Sequence, residues 1–334
     1  MERQSDILVV GFGVQGKHAA LEALKVGLSV RVMSSPSAPV AGANGIGIIE
    51  RQDETITHSE YGDVSIFTSE AFENEGFELY EQQVKAGLPW VERKPIEYHR
   101  MADTSPDDRP FPGMERESLS KAEVREPYQC GYRFKGYILN TRMYLAQLDR
   151  RIFEHPNFLG LQHGEINSPD EVRHPVKIIT CGMGQKRWDT QIFPGLGETM
   201  ILELANVDRS FVIGGIRPTY SGNIVPIPGT SDRWRCGASK VDHCDITSDR
   251  DELWTAIREE VNHLRPEFVA ARTLELCVAA RPKRNGGVFI RIYLDAEGEF
   301  VAEIGGLGGA GFTLAYAIAK RVVEIIRKHL NGTV

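Results

Sequence analysis

The hydrophobic pattern at the start of the chain predicts a strand, a helix and a second strand. Residues 7–10 are continuously apolar, as in a parallel strand buried on both faces. Residues 17–26 carry alanine and leucine along one side and are followed by Gly27, a typical helix end. Residues 28–33, with Leu28, Val30, Val32 and Met33, predict the next strand. The chain therefore opens with a β-α-β unit.

The middle of the chain is rich in predicted strands, and the end repeats the strand-to-helix pattern. Helices are predicted at residues 65–87, 141–154 and 249–262, and a polar, proline-rich stretch at residues 95–127 predicts a surface excursion or a lid. Residues 199–239 predict several short strands separated by turns. A strand, a glycine run and a long helix over residues 313–329 close the chain. The β-rich segments lie between the β-α-β elements, which predicts interleaved domains.

Composition excludes several classes of function. The 334 residues carry a net charge of −7 without any basic run, which argues against a nucleic-acid partner. No apolar run approaches the roughly 20 residues of a membrane-spanning helix, and no signal peptide is evident. Five irregularly spaced cysteines and nine scattered histidines predict neither disulfides nor a metal site. We expect a cytoplasmic protein.

The first chemical motif is Gly11-x-Gly13-x-x-Gly16, between the first strand and the first helix. In this position the first glycine allows a tight turn, the second lets a pyrophosphate approach the backbone, and the third lets helix and strand pack closely. The helix N-terminus adds unpaired N–H groups and a partial positive charge. The motif predicts a dinucleotide site.

The end of the second strand leaves the identity of the dinucleotide open. An acidic residue normally binds the adenosine ribose there, but this chain has Ser34 followed by Ser35. Paired serines can accept a 2′-phosphate, which would indicate NADP, although no arginine follows until Arg51. The alternative is FAD, with most of the adenosine affinity supplied elsewhere.

The C-terminal glycine run favours FAD. Five of the seven residues from Gly305 to Gly311 are glycine, and a long helix follows. A nicotinamide site does not need a second junction of this kind. A flavin extends across the sheet to a second helix N-terminus.

With these motifs the chain resembles the D-amino-acid oxidase and glycine oxidase group of FAD-dependent amine oxidoreductases. The resemblance runs through ILVVGFGVQG, AGANGIG, KIITCGMGQKRW, NIVPIPG, RWRCGAS, VAARPKR and GGLGGAGF, in that order. It implies a two-domain α/β flavoprotein with a Rossmann-like FAD-binding domain (1–60, 140–195 and 280–334). The interleaved substrate domain, an antiparallel β-sheet plus helices, would cover 61–139 and 196–279.

The resemblance also implies which residues bind FAD. The pyrophosphate would lie on the N-terminal glycine loop, the adenosine near the serines, and the flavin between the segments around residues 43–46 and the C-terminal loop. The implied cofactor-binding residues are Gly11, Gly13, Val14, Gly16, Ser34, Ser35, Ala43, Asn44, Gly45, Ile46, Ile166, Gly182, Met183, Gly308, Gly309, Ala310, Gly311, Phe312 and Thr313.

The implied substrate pocket departs from the family pattern. Arg281 matches the arginine that binds the substrate carboxylate. Asn223 and Ser239 stand where the family's amino-acid oxidases have tyrosines, and Lys240 follows. These four are the candidate catalytic residues, and the loss of the two tyrosines predicts a specialised, biosynthetic substrate.

The expected reaction is oxidation of a C–N bond in an amino acid or related amine by hydride transfer to flavin N5. The expected partners are that small-molecule substrate and molecular oxygen as electron acceptor; a homodimer is compatible with the sequence. Two alternatives stay open: an NADP-dependent reductase, suggested by Ser34 and Ser35, and a non-catalytic flavin-binding protein, suggested by the missing tyrosines.

Overall fold

The chain forms two β-sheets and five α-helices in a computed structural model that describes residues 4–36, 41–50, 54–101, 116–244 and 250–332. No helix within these ranges is both long enough and apolar enough to cross a bilayer. The strands are β1 (Ile7–Val10), β2 (Val30–Ser34), β3 (Ile48–Ile49), β4 (Thr55–Glu60), β5 (Asp63–Thr68), β6 (Val91–Arg100), β7 (Glu117–Ser118), β8 (Cys130–Leu139), β9 (Phe158–His163), β10 (Val176–Ile179), β11 (Ile192–Glu203), β12 (Val212–Ile216), β13 (Tyr220–Pro226), β14 (Arg233–Ser239), β15 (Val241–Asp242), β16 (Arg272–Arg284), β17 (Val288–Leu294) and β18 (Phe300–Gly305). The helices are α1 (Val14–Lys25), α2 (Glu70–Lys85), α3 (Thr141–Phe153), α4 (Asp251–Leu264) and α5 (Gly311–Leu330).

The first sheet has the strand order β5-β4-β17-β18-β10-β1-β2-β9. Its five strands from β18 to β9 are parallel to one another. The central strands β1, β10 and β18 are buried along their whole length, as expected for strands covered on both faces. The C-terminal ends of the five parallel strands meet at one border of the sheet, which we call the carboxyl edge. Ligands of open α/β sheets bind outside this edge.

The second sheet has the order β15-β11-β14-β13-β12-β6-β8-β3, with β16 paired to β11 and β7 to β8. Side chains alternate between its faces. On β14, Trp234 and Cys236 pack in a core with residues of α4. Arg235 points the other way and bonds to the Gly45 carbonyl. We call this opposite side of the sheet the site face.

Most elements lie where the sequence predicts them, with two differences. The helix predicted from residue 65 begins at Glu70, because residues 63–68 pair with β4 as a strand. The predicted excursion does not begin at Pro95, because Pro95 lies inside β6, opposite Lys135. Residues 102–115 of that predicted lid lie outside the described residues.

The predicted domain boundaries stay a prediction, but the sheets divide the chain at nearby points. Strand β3 belongs to the second sheet, whereas β4 and β5 belong to the first. The chain therefore crosses between the sheets on both sides of the segment 41–50. This segment carries β3 and, as described below, also contacts the start of α5.

A buried lysine in β10 holds the far end of the first sheet together. The Nζ atom of Lys177 donates to Asp295 (2.7 Å), to Glu299 (2.8 Å) and to the Val172 carbonyl (3.0 Å), and the side chain is fully buried. Burial lowers the pKa of Lys177, but the two carboxylates outweigh this effect and raise it. The lysine is therefore charged inside the protein.

Replacing Lys177 with methionine is expected to lower the free energy of unfolding by about 3–5 kcal/mol, because two carboxylates would lose their buried partner. Denaturant titration measures this change. Lys320→Met is the matched control, since Lys320 pairs with Glu75 at the surface, and should cost less than about 1 kcal/mol. Equal effects of the two substitutions would contradict the role of Lys177.

Candidate functional site

The glycine loop between β1 and α1 lies at the carboxyl edge and has the geometry that the motif predicts. Gly11 has a φ of +97°, and a Cβ there would overlap the Thr180 carbonyl. A Cβ on Gly16 would overlap the carbonyl of Gly11. At Gly13, by contrast, no described atom lies within 4 Å of the position of a Cβ. Gly11 and Gly16 thus allow close packing, and Gly13 leaves the backbone open to a ligand.

The N-termini of α1 and α5 lie side by side. A Cβ on Gly311 would lie 3.4 Å from Cγ1 of Val14. Within the described chain, neither helix has a side chain that caps its first N–H groups. Two partial positive charges therefore meet at one place. The amide of Gln15, buried in the first turn of α1, also lacks a hydrogen-bond partner among the described residues.

These features fit a dinucleotide with a negatively charged pyrophosphate and a second group that reaches α5. The open glycine offers room for the pyrophosphate, and the uncapped N–H groups offer donors. The segment 41–50 borders the same space, since a Cβ on Gly42 would lie 3.1 Å from the ring of Phe312. The residues present therefore fit FAD.

All cofactor-binding residues predicted from the sequence lie at or beside the carboxyl edge. Gly11, Gly13, Val14 and Gly16 form the first turn and helix start, Ser34 ends β2, and Ser35 follows it. Ile166 follows β9, Gly182 and Met183 follow β10, and residues 308–313 follow β18. Ala43, Asn44, Gly45 and Ile46 lie in and after a 3₁₀ turn at Ala41–Asn44. Their contacts with a cofactor stay a prediction.

Arg281 lies on the site face beside the cofactor loops. The guanidinium of Arg281 covers Gly197, where a Cβ would lie 3.4 Å from Cζ of the arginine. Pro282, which follows Arg281 in the chain, accepts a hydrogen bond at its carbonyl from Gly308 N–H (2.9 Å), so β16 contacts the C-terminal glycine loop here. Nε of Arg281 donates to the Gly195 carbonyl (3.2 Å), and Nη2 donates to the carbonyls of Leu196 (2.6 Å) and Ser239 (2.8 Å). Nη1 has no acceptor among the described residues, so it is the part left to bind an anion.

Asn223 lies on the same face, two strands away from β11. Its Nδ2 donates to Ser221 Oγ (3.0 Å), and its buried Oδ1 has no partner within the described chain. A Cβ on Gly214 would overlap Asn223 Oδ1 and lie 2.7 Å from the ring of Tyr98. Because Gly214 has no Cβ, the side chains of Asn223 and Tyr98 can both occupy the space above it.

A charged cluster borders Tyr98. The Tyr98 hydroxyl faces the carboxyl group of Glu50, and the Tyr98 ring lies 5.6 Å from that of Tyr132. The guanidinium carbons of Arg100 and Arg116 lie 5.8 and 4.6 Å from the centre of the Tyr132 ring. Burial raises the pKa of Glu50, while the nearby Tyr98 hydroxyl and the cationic side chains around it oppose the shift.

Ser239 and Lys240 have different surroundings. Ser239 is fully buried, and its Oγ accepts from Glu198 N–H (3.0 Å) and donates to the Leu196 carbonyl (3.2 Å). That hydroxyl is therefore occupied by backbone partners. Lys240 is exposed. The surrounding protein lowers the pKa of Lys240, as do Arg100 and Arg281, whereas Glu50 opposes the shift.

The segment 41–50 is bonded to the site face. Arg235, almost fully buried, donates to the Gly45 carbonyl and to Thr141 Oγ1 (2.8 Å). Thr199 Oγ1 donates to the Asn44 carbonyl (3.1 Å). The other end of the segment meets α5, where Thr313 Oγ1 donates to the Glu50 carbonyl (3.4 Å). The segment thus connects the second sheet to the C-terminal helix.

Sequence reasoning missed Glu50, Tyr98, Arg100 and Arg235. A signal existed for Tyr98 and Arg100, because their spacing of two residues places both side chains on one face of a strand. Glu50 ends an apolar run directly after the predicted flavin segment. Neither signal reveals the partner strand, which only the sheet order supplies.

The sequence matches no protein-family model and no curated protein. The structure is similar to glycine oxidase from Bacillus cereus, with a TM-score of 0.73 and 15% identity over 98% of this chain and 96% of that one. For iminodiacetate oxidase from Chelativorans sp. BNC1, the TM-score is 0.68 at 14% identity, covering 98% and 96%. For L-α-glycerophosphate oxidase from Mycoplasma pneumoniae with FAD bound, it is 0.69 at 13% identity, covering 97% and 95%. The predicted two-domain flavoprotein fold is therefore confirmed, and the resemblance to the glycine oxidase group holds at the level of the fold.

Proposed function

From this fold and this site, we propose that the protein is an FAD-dependent oxidoreductase that oxidises the C–N bond of an amino acid or related amine. The observation that carries the proposal is a pair of adjacent helix N-termini, which have no side-chain cap among the described residues. They contact each other at Val14 and Gly311 and lie next to the site face that carries Arg281. The N-terminus of α1 supports pyrophosphate binding. The N-terminus of α5 supports negative charge on a second, remote part of the cofactor.

The site face supports a substrate that carries a carboxylate. Arg281 offers Nη1, and three main-chain carbonyls hold the rest of its guanidinium in one orientation. Arg100, Arg116 and Lys240 add positive charge, which outweighs the carboxyl of Glu50. Because this cluster favours anions, we propose an amine with at least one carboxylate.

The chain's own residues would bind and orient the substrate. Arg281 would hold the carboxylate. Asn223 Oδ1, which has no partner in the part of the chain that the structure describes, would accept a hydrogen bond from a polar substrate group. Bound FAD would supply two-electron oxidation by accepting a hydride. No protein base is obligatory for such a transfer, since positioning provides most of the rate gain. We propose molecular oxygen as the electron acceptor and leave the specific amine open.

An anaerobic screen tests the proposal. Purified protein is mixed with amines and amino acids, and the visible absorbance of the flavin is followed by stopped flow. We expect a yellow protein that is bleached by at least one carboxylate-bearing amine. A colourless protein that binds NADP would indicate a reductase, and a yellow protein bleached by no amine would indicate a flavin-binding protein without this activity.

A further inference from the structure

The loop after β9 places a carboxylate beside the end of β2. The two strands are parallel, with Ser34 opposite His163, and Gly164 N–H donates to the Ser34 carbonyl (3.1 Å). Glu165, the next residue, accepts a hydrogen bond at Oε1 from Ser35 Oγ (2.5 Å). An acid from the neighbouring strand therefore lies where β2 itself ends in serine.

Arg187 fixes the orientation of this carboxylate. It comes from the 3₁₀ turn after β10, and its Nη2 donates to Glu165 Oε2 (2.6 Å). Its Nη1 donates to the Ile166 carbonyl (3.0 Å), so both ends of the guanidinium hold this loop. The Glu165 side chain keeps 44% of its surface exposed. A ligand can therefore reach the carboxylate, whose two oxygens accept about four hydrogen bonds in all.

The nucleotide's ribose belongs at this place. Gly11 N–H donates to the Met33 carbonyl (2.8 Å), which joins the glycine loop to the last residues of β2. A pyrophosphate on that loop therefore puts the adjoining adenosine ribose over the end of β2. There Ser35 donates to the Glu165 carboxylate, whose other oxygen is paired with Arg187.

We propose that Glu165 binds the hydroxyls of the adenosine ribose in place of the acid that β2 lacks, and that its charge selects an unphosphorylated ribose. A carboxylate accepts strong hydrogen bonds from two hydroxyl groups. At hydrogen-bond distance the same carboxylate repels a 2′-phosphate, and the positive charge of Arg187 is paired with Glu165 while its other terminal nitrogen donates to the Ile166 carbonyl. The site thus favours FAD over NADP. This proposal rests on the proposed FAD-dependent function.

Binding to the apoprotein tests the role of Glu165 without any turnover. The flavin is removed, and dissociation constants of FAD and FMN are measured by flavin fluorescence for the wild type and for Glu165→Gln. Loss of a charged hydrogen bond is expected to lower the affinity for FAD by roughly 10- to 100-fold. FMN, which has no adenosine, should bind both proteins equally. Glu171→Gln is the matched control, because Glu171 belongs to the same loop and bonds to Asn167 N–H (2.9 Å) instead.

A competition between ADP and 2′-phospho-ADP tests whether the Glu165 carboxylate selects against a 2′-phosphate. The wild type should prefer ADP, and Glu165→Gln should reduce that preference by about tenfold or more. Unchanged FAD affinity in the variant overturns the proposal. So does an equal loss of FAD and FMN affinity, because Glu165 would then only hold the loop. If the wild-type apoprotein binds neither flavin, the proposed function itself fails, which is a different result.

Discussion

Replacing Arg281 with methionine is expected to lower kcat/KM for carboxylate-bearing amines by roughly 10²- to 10³-fold, because the substrate carboxylate would lose its charged partner in a desolvated site. Methionine keeps much of the side-chain volume over Gly197. Stopped-flow flavin reduction gives the substrate dissociation constant and the hydride-transfer rate separately. Most of the loss should appear in substrate affinity, and amines without a carboxylate should lose far less.

Two further variants separate binding from structural damage. Arg281 also bonds to the carbonyls of Gly195, Leu196 and Ser239, so Arg281→Lys should recover charge but not all three contacts. Arg272→Gln, in the same strand but paired with Glu203 at the surface, should leave the kinetics unchanged. If Arg281→Met binds carboxylate substrates as well as the wild type, this arginine does not belong to the site.

Placing an aspartate at Gly13 is expected to abolish flavin binding while the fold survives. Gly13 is the N-cap of α1, with φ −74° and ψ −171° and open space around its Cβ position. Aspartate is a preferred N-cap residue, so the thermal unfolding temperature of the apoprotein should stay constant or rise slightly. Its carboxylate would meet the pyrophosphate, and we expect the affinity for FAD to fall at least about 100-fold.

Gly13→Ala serves as the control, since it adds a methyl group without charge and without an N-cap oxygen. Gly13→Ala should lower the affinity for FAD much less than Gly13→Asp does. In the Gly13→Asp protein, the flavin affinity is expected to fall while the unfolding temperature does not. If the Gly13→Asp protein still copurifies with stoichiometric flavin, the pyrophosphate lies elsewhere.

The sequence predicts the first sheet well because its information there is local. The run at residues 7–10, the glycine turn and the helix that follows each specify their own conformation. The same holds for the C-terminal junction, where the glycines precede α5. In these segments periodicity and turn chemistry agree with the final structure.

The candidate substrate site is harder to predict because its residues meet through strand order. Glu50 and Tyr98 are 48 positions apart in the sequence, and the pairing of β6 with β12 brings Tyr98 beside Asn223. Ser239 was predicted as a site residue, yet the bonds of its hydroxyl to Glu198 and Leu196 depend on how β14 and β11 align. Likewise, Ser34 gave no indication that Glu165 would lie next to it.

The bonds from Arg235 and Thr199 to the carbonyls of residues 44 and 45 have a consequence for substrate range. They tie the segment that borders the cofactor space to the face that carries Arg281 and Asn223. If the proposed function holds, these bonds would keep the spacing between the flavin and the site face constant. Changes of substrate would then come from exchanging side chains on that face, such as Asn223, rather than from moving the segment.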